Sequence, residues 1–559
     1  MRKREGIEPR YKCETVSADM LLDMEGNSKG AHPAKAPAPS PGSKTVARHQ
    51  GRDGNSGGPM GSPTEGGRVA QPANRKEARR PMGSRMPSYE RGSGVTPMEQ
   101  RGAHSGARST ATPSTRRGGS AAKTGVERIA NRARREPQTR YTSLMHHVTG
   151  DNLRACFEAL DGTKAPGVDG ITKALYGQHL EANLRALHQK LHQRSYRPQP
   201  VRRVEIPKAD GTMRPLGISC IEDKIVQEMT RRLLDAIYEP VFLDISYGFR
   251  PGRGCPDALR QLNHEVMREP VNWIGDLDLA QCFDTMPHPE SLAVLSERIA
   301  DQKFLRLIAR MLKAGVQTPG GVVHDELGSP QGSIVSPVIA NAFLDHVLDQ
   351  WLVGVVRQHC HGYCNLLRYA DDALAVVETE DDARRFLRVL PLRLGKFGLR
   401  LNTQKTHLVA FGKRLAWQVL GGGGRMPTVD FLGFTHYWGR SRSGKARLKR
   451  KTSKKRLRRA VVELNQWLRQ ERSARKLPDL WQAIAQKRRG HFNYFGVTDN
   501  SRALYLFEAK VHHLVFKWLN RRSPRRSFTW ESFRRYFNRH PLPRPGRLVS
   551  LIPGWSKAG

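Results

Sequence analysis

The sequence lacks three things. No segment approaches the roughly 20 consecutive apolar residues of a spanning helix. The first residues, MRKREGIEPRYKCETV, have no apolar core after their basic start, which excludes a secretory signal, and Glu5, Glu8 and Glu14 argue against a transit peptide. Cysteine is sparse. The seven cysteines (Cys13, Cys156, Cys220, Cys255, Cys282, Cys360 and Cys364) are scattered and odd in number, which argues against a disulfide framework and fits a reducing cytoplasm. The cluster HCHGYC, His359 to Cys364, lacks the further ligands that a zinc site needs and reads as half-buried residues before a strand. Acidic charge is also short. Against 94 Lys and Arg stand 52 Asp and Glu, a formal net charge of +42 over 559 residues. Such an excess points to a polyanionic partner, nucleic acid before membrane.

What is present falls into blocks. Residues 1–123 are rich in Gly, Pro, Ser, Ala and Arg without apolar periodicity. They cannot bury enough apolar surface to offset their ordering entropy, so this block reads as a disordered basic arm or leader. Residues 124–438 alternate helical spacing with short apolar strands. Glu290 to Val316 shows apolar residues at i, i+3 and i+4 and ends near a Gly, and Asn272 to Leu279 alternates like a strand. From 439 to 540 the chain is strongly basic, with amphipathic helices around Trp481 to Arg489 and Ala503 to Leu519; 541–559 is a short tail. Six aromatics in this region, Trp467, Trp481, Phe492, Tyr494, Phe495 and Trp518, read as helix packing rather than base-stacking platforms.

The chemistry centres on LLRYADDALAVV, Leu366 to Val377, where Asp371 and Asp372 sit between strand-like runs. Adjacent like charges are costly to bury unless cations compensate. Upstream, Asp278 ends the strand in GDLDLAQCFDTMPH. One strand-end aspartate beside a hairpin carrying two more could hold two Mg2+ ions, which clamp the attacking and leaving oxygens in phosphoryl transfer. Asp276 shares a face with Asp278 but reads as a polar-face residue, and Asp284 as a cap.

Further motifs run in the same order as in one family. KAPGVDG (164–170), VEIPKADGTMRPLGISCIEDKIVQ (204–227), SYGFRPGRGCPDAL (246–259), DLAQCFD (278–284), GSPQGSIVSPVIAN (328–341), RYADD (368–372), GLRLNTQKT (398–406) and FLGFTH (431–436) are followed by RRGHFNYFGVTDNSRAL (488–504) and LNRRSPRRSFTWESF (519–533). Over about 125–550 the chain resembles bacterial group II intron-encoded reverse transcriptase/maturases. It departs from their usual pattern at Ala280 and Gln281, where Lys-Gly is usual, and at Ser333, where Gly is usual.

The resemblance implies an α+β right-hand polymerase, with fingers and palm over 124–438 and a helical thumb/maturase domain over 439–540. It implies RNA-directed DNA polymerase activity with Asp278, Asp371 and Asp372 as catalytic metal ligands, helped by the backbone carbonyl of Leu279. The cofactor would be two Mg2+ ions, with Mn2+ as a substitute. Lys208 and Arg214, on the two arms of a hairpin turning at Asp210-Gly211, would grip a dNTP triphosphate. Phe283 would lie beneath the sugar and exclude a ribose; Gln331 and Gly332 would line the nucleotide, and Lys405 would temper the charge. Arg250, Arg253, Arg488 and Arg489 would contact nucleic acid. The partners would be group II intron RNA, an RNA template–DNA primer duplex, target DNA and dNTPs, with no membrane. No Cys or His pairs follow Pro541, so an HNH endonuclease domain is not expected. A reverse transcriptase domesticated for phage defence or DNA repair would carry the same motifs. A non-catalytic RNA-binding maturase would not need the three aspartates and Phe283.

Overall fold

The computed structural model describes residues 120–552, save 208–212, 319, 324–326, 329–331, 524 and 526. The expected arm up to residue 119, the Asp210-Gly211 turn, Lys208 and Gln331 lie outside the described residues.

Eleven strands fall among the described residues. They are β1 (Val201–Pro207), β2 (Met213–Ile218), β3 (Trp273–Asp278), β4 (Val316–Thr318), β5 (Gly321–Val323), β6 (Cys364–Tyr369), β7 (Asp372–Val377), β8 (His407–Ala410), β9 (Val429–Phe431), β10 (Phe434–Arg440) and β11 (Ala446–Thr452). They form three sheets, ordered β2-β1-β4-β5, β6-β7-β3-β8 and β11-β10-β9. The second sheet is antiparallel throughout. Its strands β6 and β7 are buried along their length apart from Asp372. That is why LLRYADDALAVV shows little polar alternation: both faces are covered.

The two faces meet different cores. Leu277, Leu366, Ala373, Ala375 and Val377 join the core built on helices Ile221–Tyr238, His288–Arg298, Ser336–Leu344 and Glu380–Gly395. Ile274, Leu367, Tyr369, Leu374 and Val376 join the core shared with β9–β11 and helices Cys255–Arg268, Lys454–Glu471, Leu477–Phe495, Ser501–Leu519 and Trp530–Arg539. The palm sheet is thus the layer between an N-terminal and a C-terminal core. Phe492, Phe495 and Trp518 are buried in the second core, with Trp467, Trp481 and Tyr494 packed against it, as helix-packing residues.

Several sequence expectations shift. The periodic stretch from Glu290 to Val316 is two helices, His288–Arg298 and Gln302–Leu312. Asp301 caps the second through the amides of Lys303 and Phe304, and its other oxygen accepts from Leu144 and Met145. Apolar spacing continues across this break because both helices face the same core. The composition change at Trp438 falls inside β10, so it is not a structural boundary. The tail packs down: Leu542 and Leu551 are buried, and Val549 pairs with Val497. Helix starts at Ser120, slightly ahead of the sequence reading. No helix among the described residues is long and apolar enough to cross a membrane.

Candidate active site

Asp278 and Asp372 are directly opposed across β3 and β7. Opposed residues on antiparallel strands share a face, with Cα atoms about 5 Å apart. Tyr369 pairs with Asp372, leaving Ala370 and Asp371 as a two-residue hairpin loop. Ala370 has φ 59°, the left-handed conformation that such tight hairpins require. All three carboxylates therefore gather at one end of the palm sheet.

Lys405 Nζ lies 3.5 Å from Asp278 Oδ2 in an exposed ion pair. The Asp278 carbonyl accepts from the Asn402 amide at 2.8 Å, and the Ala280 amide donates to the Arg400 carbonyl at 2.8 Å. Those bonds flank the Leu279–Leu401 bridge. Leu279 itself is thereby left with its amide and carbonyl directed away from Leu401, toward the side where β7 ends. Asp276 faces the same way as Asp278. Burial, then the charges of Asp372 and Asp278 against the opposing influence of His407, raise its carboxyl to about 6. Like charge is concentrated here, and hard carboxylate oxygens without a soft ligand suit Mg2+ or Mn2+.

Beneath the turn lies a buried ion pair. Arg368 and Asp349 are both fully buried. Arg368 Nε meets Asp349 Oδ1 at 2.8 Å, and Nη2 meets Oδ2 at 2.5 Å. Arg368 Nη1 donates to Asn341 Oδ1 at 3.1 Å and to the Ala370 carbonyl at 3.3 Å. Asn341 Nδ2 in turn donates to the Gly248 carbonyl at 2.8 Å. The Arg368 backbone also bonds Ile245 and Tyr247, so segment 245–248 runs alongside the turn. Sequence reading missed this network; the adjacency of Arg368 to the aspartate pair was its only signal.

Phe283 sits in the short helix Cys282–Thr285, half-buried against the first core. Asp284 lies exposed in the same helix, while Pro287 is the N-cap of the next one, so Asp284 is not that cap. Gln281, at the start of the short helix, has φ 50°. This left-handed backbone suits the Gly expected at this position, so Gln281 carries a Cβ penalty there. Gly332 has φ 111°, and a Cβ there would stand 2.5 Å from the Gly217 carbonyl. Its need for glycine comes from contact with β2. Arg214 lies on β2 opposite Ile206.

Two arginines expected to touch nucleic acid do not reach solvent. Arg250 is 5% exposed, held by the Glu239 carboxylate and the carbonyls of Leu243 and Ser246. Arg488 is fully buried, paired with Glu508 at 2.8 Å and packed over Phe492. Both are structural cations, paired because an unpaired buried charge is expensive. Arg253 is partly exposed and pairs with Asp244 over Tyr247. Arg489 is exposed.

The family model described as reverse transcriptase (RNA-dependent DNA polymerase) matches residues 206–436. The group II intron, maturase-specific domain matches 454–537. The 91 kDa protein in the cob intron of Schizosaccharomyces pombe is 44% identical over 164 residues, 29% of this chain and 20% of its own. Group II intron-encoded protein LtrA of Lactococcus lactis subsp. cremoris is 34% identical over 230 residues, 41% of this chain and 38% of its own. Protein YkfC of Escherichia coli K12 is 29% identical over 321 residues, 50% of this chain and 83% of its own. The chain thus spans a fifth of the first relative and under two fifths of the second. With the aspartates gathered on the palm, the chain carries a reverse transcriptase domain followed in tandem by a group II intron maturase-specific domain.

Proposed function

We propose that the protein is an RNA-directed DNA polymerase that also binds a group II intron RNA, assists its splicing and copies it into DNA. The observation that carries the polymerase reading is the opposition of Asp278 and Asp372 across β3 and β7, with Asp371 in the adjoining loop. The splicing role rests on the maturase-specific domain over 454–537.

The three carboxylates would hold two Mg2+ ions, with the Leu279 carbonyl as a further oxygen donor. Bound there, the metals would supply Lewis-acid stabilisation of the charge that develops on the transferred phosphate. The chain's own residues do the rest. The Arg368 network fixes the turn, so the carboxylates need little reorganisation on binding. Lys405, at 3.5 Å from Asp278, restrains that carboxylate and lowers the local negative potential that would repel a triphosphate. Arg214 and Lys208 would bind the triphosphate, with Gln331 and Gly332 at the sugar. Phe283 would exclude a ribose by overlap with its 2′-hydroxyl. Partners of this reading are intron RNA, a template–primer duplex, target DNA and dNTPs.

The test is primer extension by the full chain on an RNA template with Mg2+ and dNTPs. Asp371→Asn/Asp372→Asn serves as the control. Extension that falls at least about a thousandfold in the control is expected, the scale of losing several kcal/mol of transition-state stabilisation. Well-folded wild type that binds RNA yet does not extend would overturn the polymerase reading and leave a non-catalytic maturase.

A further inference from the structure

Phe283 does not stand alone. The ring of Phe249 meets it edge-on, with centroids 6.3 Å apart and planes at 89°. Phe249 is unusual in two respects. It is 40% exposed, a large apolar ring kept in solvent. Its φ is 57°, the left-handed region that bulky residues avoid.

Both neighbours force this. Gly248 lies against the aspartate turn so closely that a Cβ would stand 2.4 Å from the Ala370 amide nitrogen. Its carbonyl is held by Asn341 at 2.8 Å. On the other side, the Arg250 guanidinium is buried on Glu239, Leu243 and Ser246. The backbone is fixed before and after Phe249, so the residue can neither relax its φ nor turn into the core. Strain held by an over-determined surround points to function.

We propose that Phe249 is a specificity-determining positioning residue that buttresses the Phe283 ring and sets how firmly it excludes a 2′-hydroxyl. This rests on the polymerase reading, with Phe283 beneath the incoming sugar. A gate ring packed on one side alone yields to an extra hydroxyl by rotating about χ1. The edge of Phe249 closes that escape, and edge-to-face aromatic pairs are favourable beyond their buried area. Because segment 245–250 is tied to the aspartate turn, the gate and the metal-binding carboxylates share one rigid support.

The experiment measures kcat/KM for a dNTP and the matching rNTP on one template–primer. Wild type is compared with Phe249→Ala, Phe249→Gly, Phe249→Tyr and Phe283→Ala, all in the full chain. Phe249→Ala and Phe249→Gly are expected to lower dNTP-over-rNTP selectivity about tenfold, mainly through a lower KM for the rNTP. Phe249→Tyr, which keeps the ring edge, is expected to restore it. Phe249→Gly should melt above Phe249→Ala, reversing the usual order, because glycine accepts the left-handed backbone. That makes it the folded variant of choice should Phe249→Ala be unstable. Selectivity unchanged in Phe249→Gly but lost in Phe283→Ala would overturn the proposal alone. Selectivity unchanged in Phe283→Ala, or no DNA synthesis by wild type, would overturn the gate or polymerase reading, and the buttress with it.

Discussion

At the scale of single residues, this site is built on backbone conformations that its side chains resist. Phe249, Gln281 and Ala370 all have φ between 50° and 60°. They lie beside Phe283, at the start of the Cys282–Thr285 helix and in the aspartate turn. Gln281 is exposed, and its contribution to the short helix is its carbonyl, which accepts from the amides of Asp284 and Thr285. Glycine would make the same bonds without the Cβ penalty. Gln281→Gly is therefore expected to stabilise the protein by about 0.5–1 kcal/mol, seen as a raised midpoint in thermal unfolding. A lowered midpoint would mean that the Gln281 side chain makes a contact worth more than the strain.

At the scale of elements, the palm was the most legible part of the sequence. β3 falls within the stretch expected from 272 to 279, and Leu477–Phe495 and Ser501–Leu519 contain the two helices read from apolar spacing. Asp278 and the Asp371–Asp372 pair come to one sheet end, as the strand–turn reading required. What stayed illegible depends on long-range partners. Nothing local marks Arg250 and Arg488 as buried, because Glu239 and Glu508 neutralise them from elsewhere in the chain. The break at Asp301 was hidden for the same reason, since its carboxylate reaches back to Leu144 and Met145. Burial works to raise this carboxyl, but the amides of Leu144, Met145, Phe304 and Lys303 together hold it below its ordinary value. A depressed carboxylate stabilises the fold above the unfolded value of about 4, and this contribution is lost as pH falls through the lower folded value. Asp301→Asn is thus expected to lower the melting midpoint at pH 7. The gap to wild type should shrink steadily below about pH 4. A gap independent of pH would show that Asp301 acts through shape rather than charge.

At the scale of the whole molecule, part of the positive excess sits where it opposes a helix dipole. Helix Lys454–Glu471 has no acidic residue in its first turn. Lys454, Lys455 and Arg458 are exposed there instead. Cations at a helix N-terminus oppose the macrodipole by some tenths of a kcal/mol each. Ser453 caps the helix by accepting from the Arg456 amide, but does nothing for that charge. A polyanion would: a phosphate backbone over this end gains from the side chains and from the helix dipole together. Salt dependence tests this directly. Each phosphate contact contributes about 0.7–0.9 to the slope of log Kobs against log salt, depending on the nucleic acid. Lys455→Ala/Arg458→Ala should flatten the slope for RNA binding by about 1.4–1.8 and weaken affinity alike for unrelated RNA sequences. Binding measured between 50 and 300 mM KCl reads both. A loss confined to one RNA sequence would assign these side chains to base recognition. An unchanged slope would move the phosphate track off this helix, leaving its N-terminal cations as a cost without a compensating ligand.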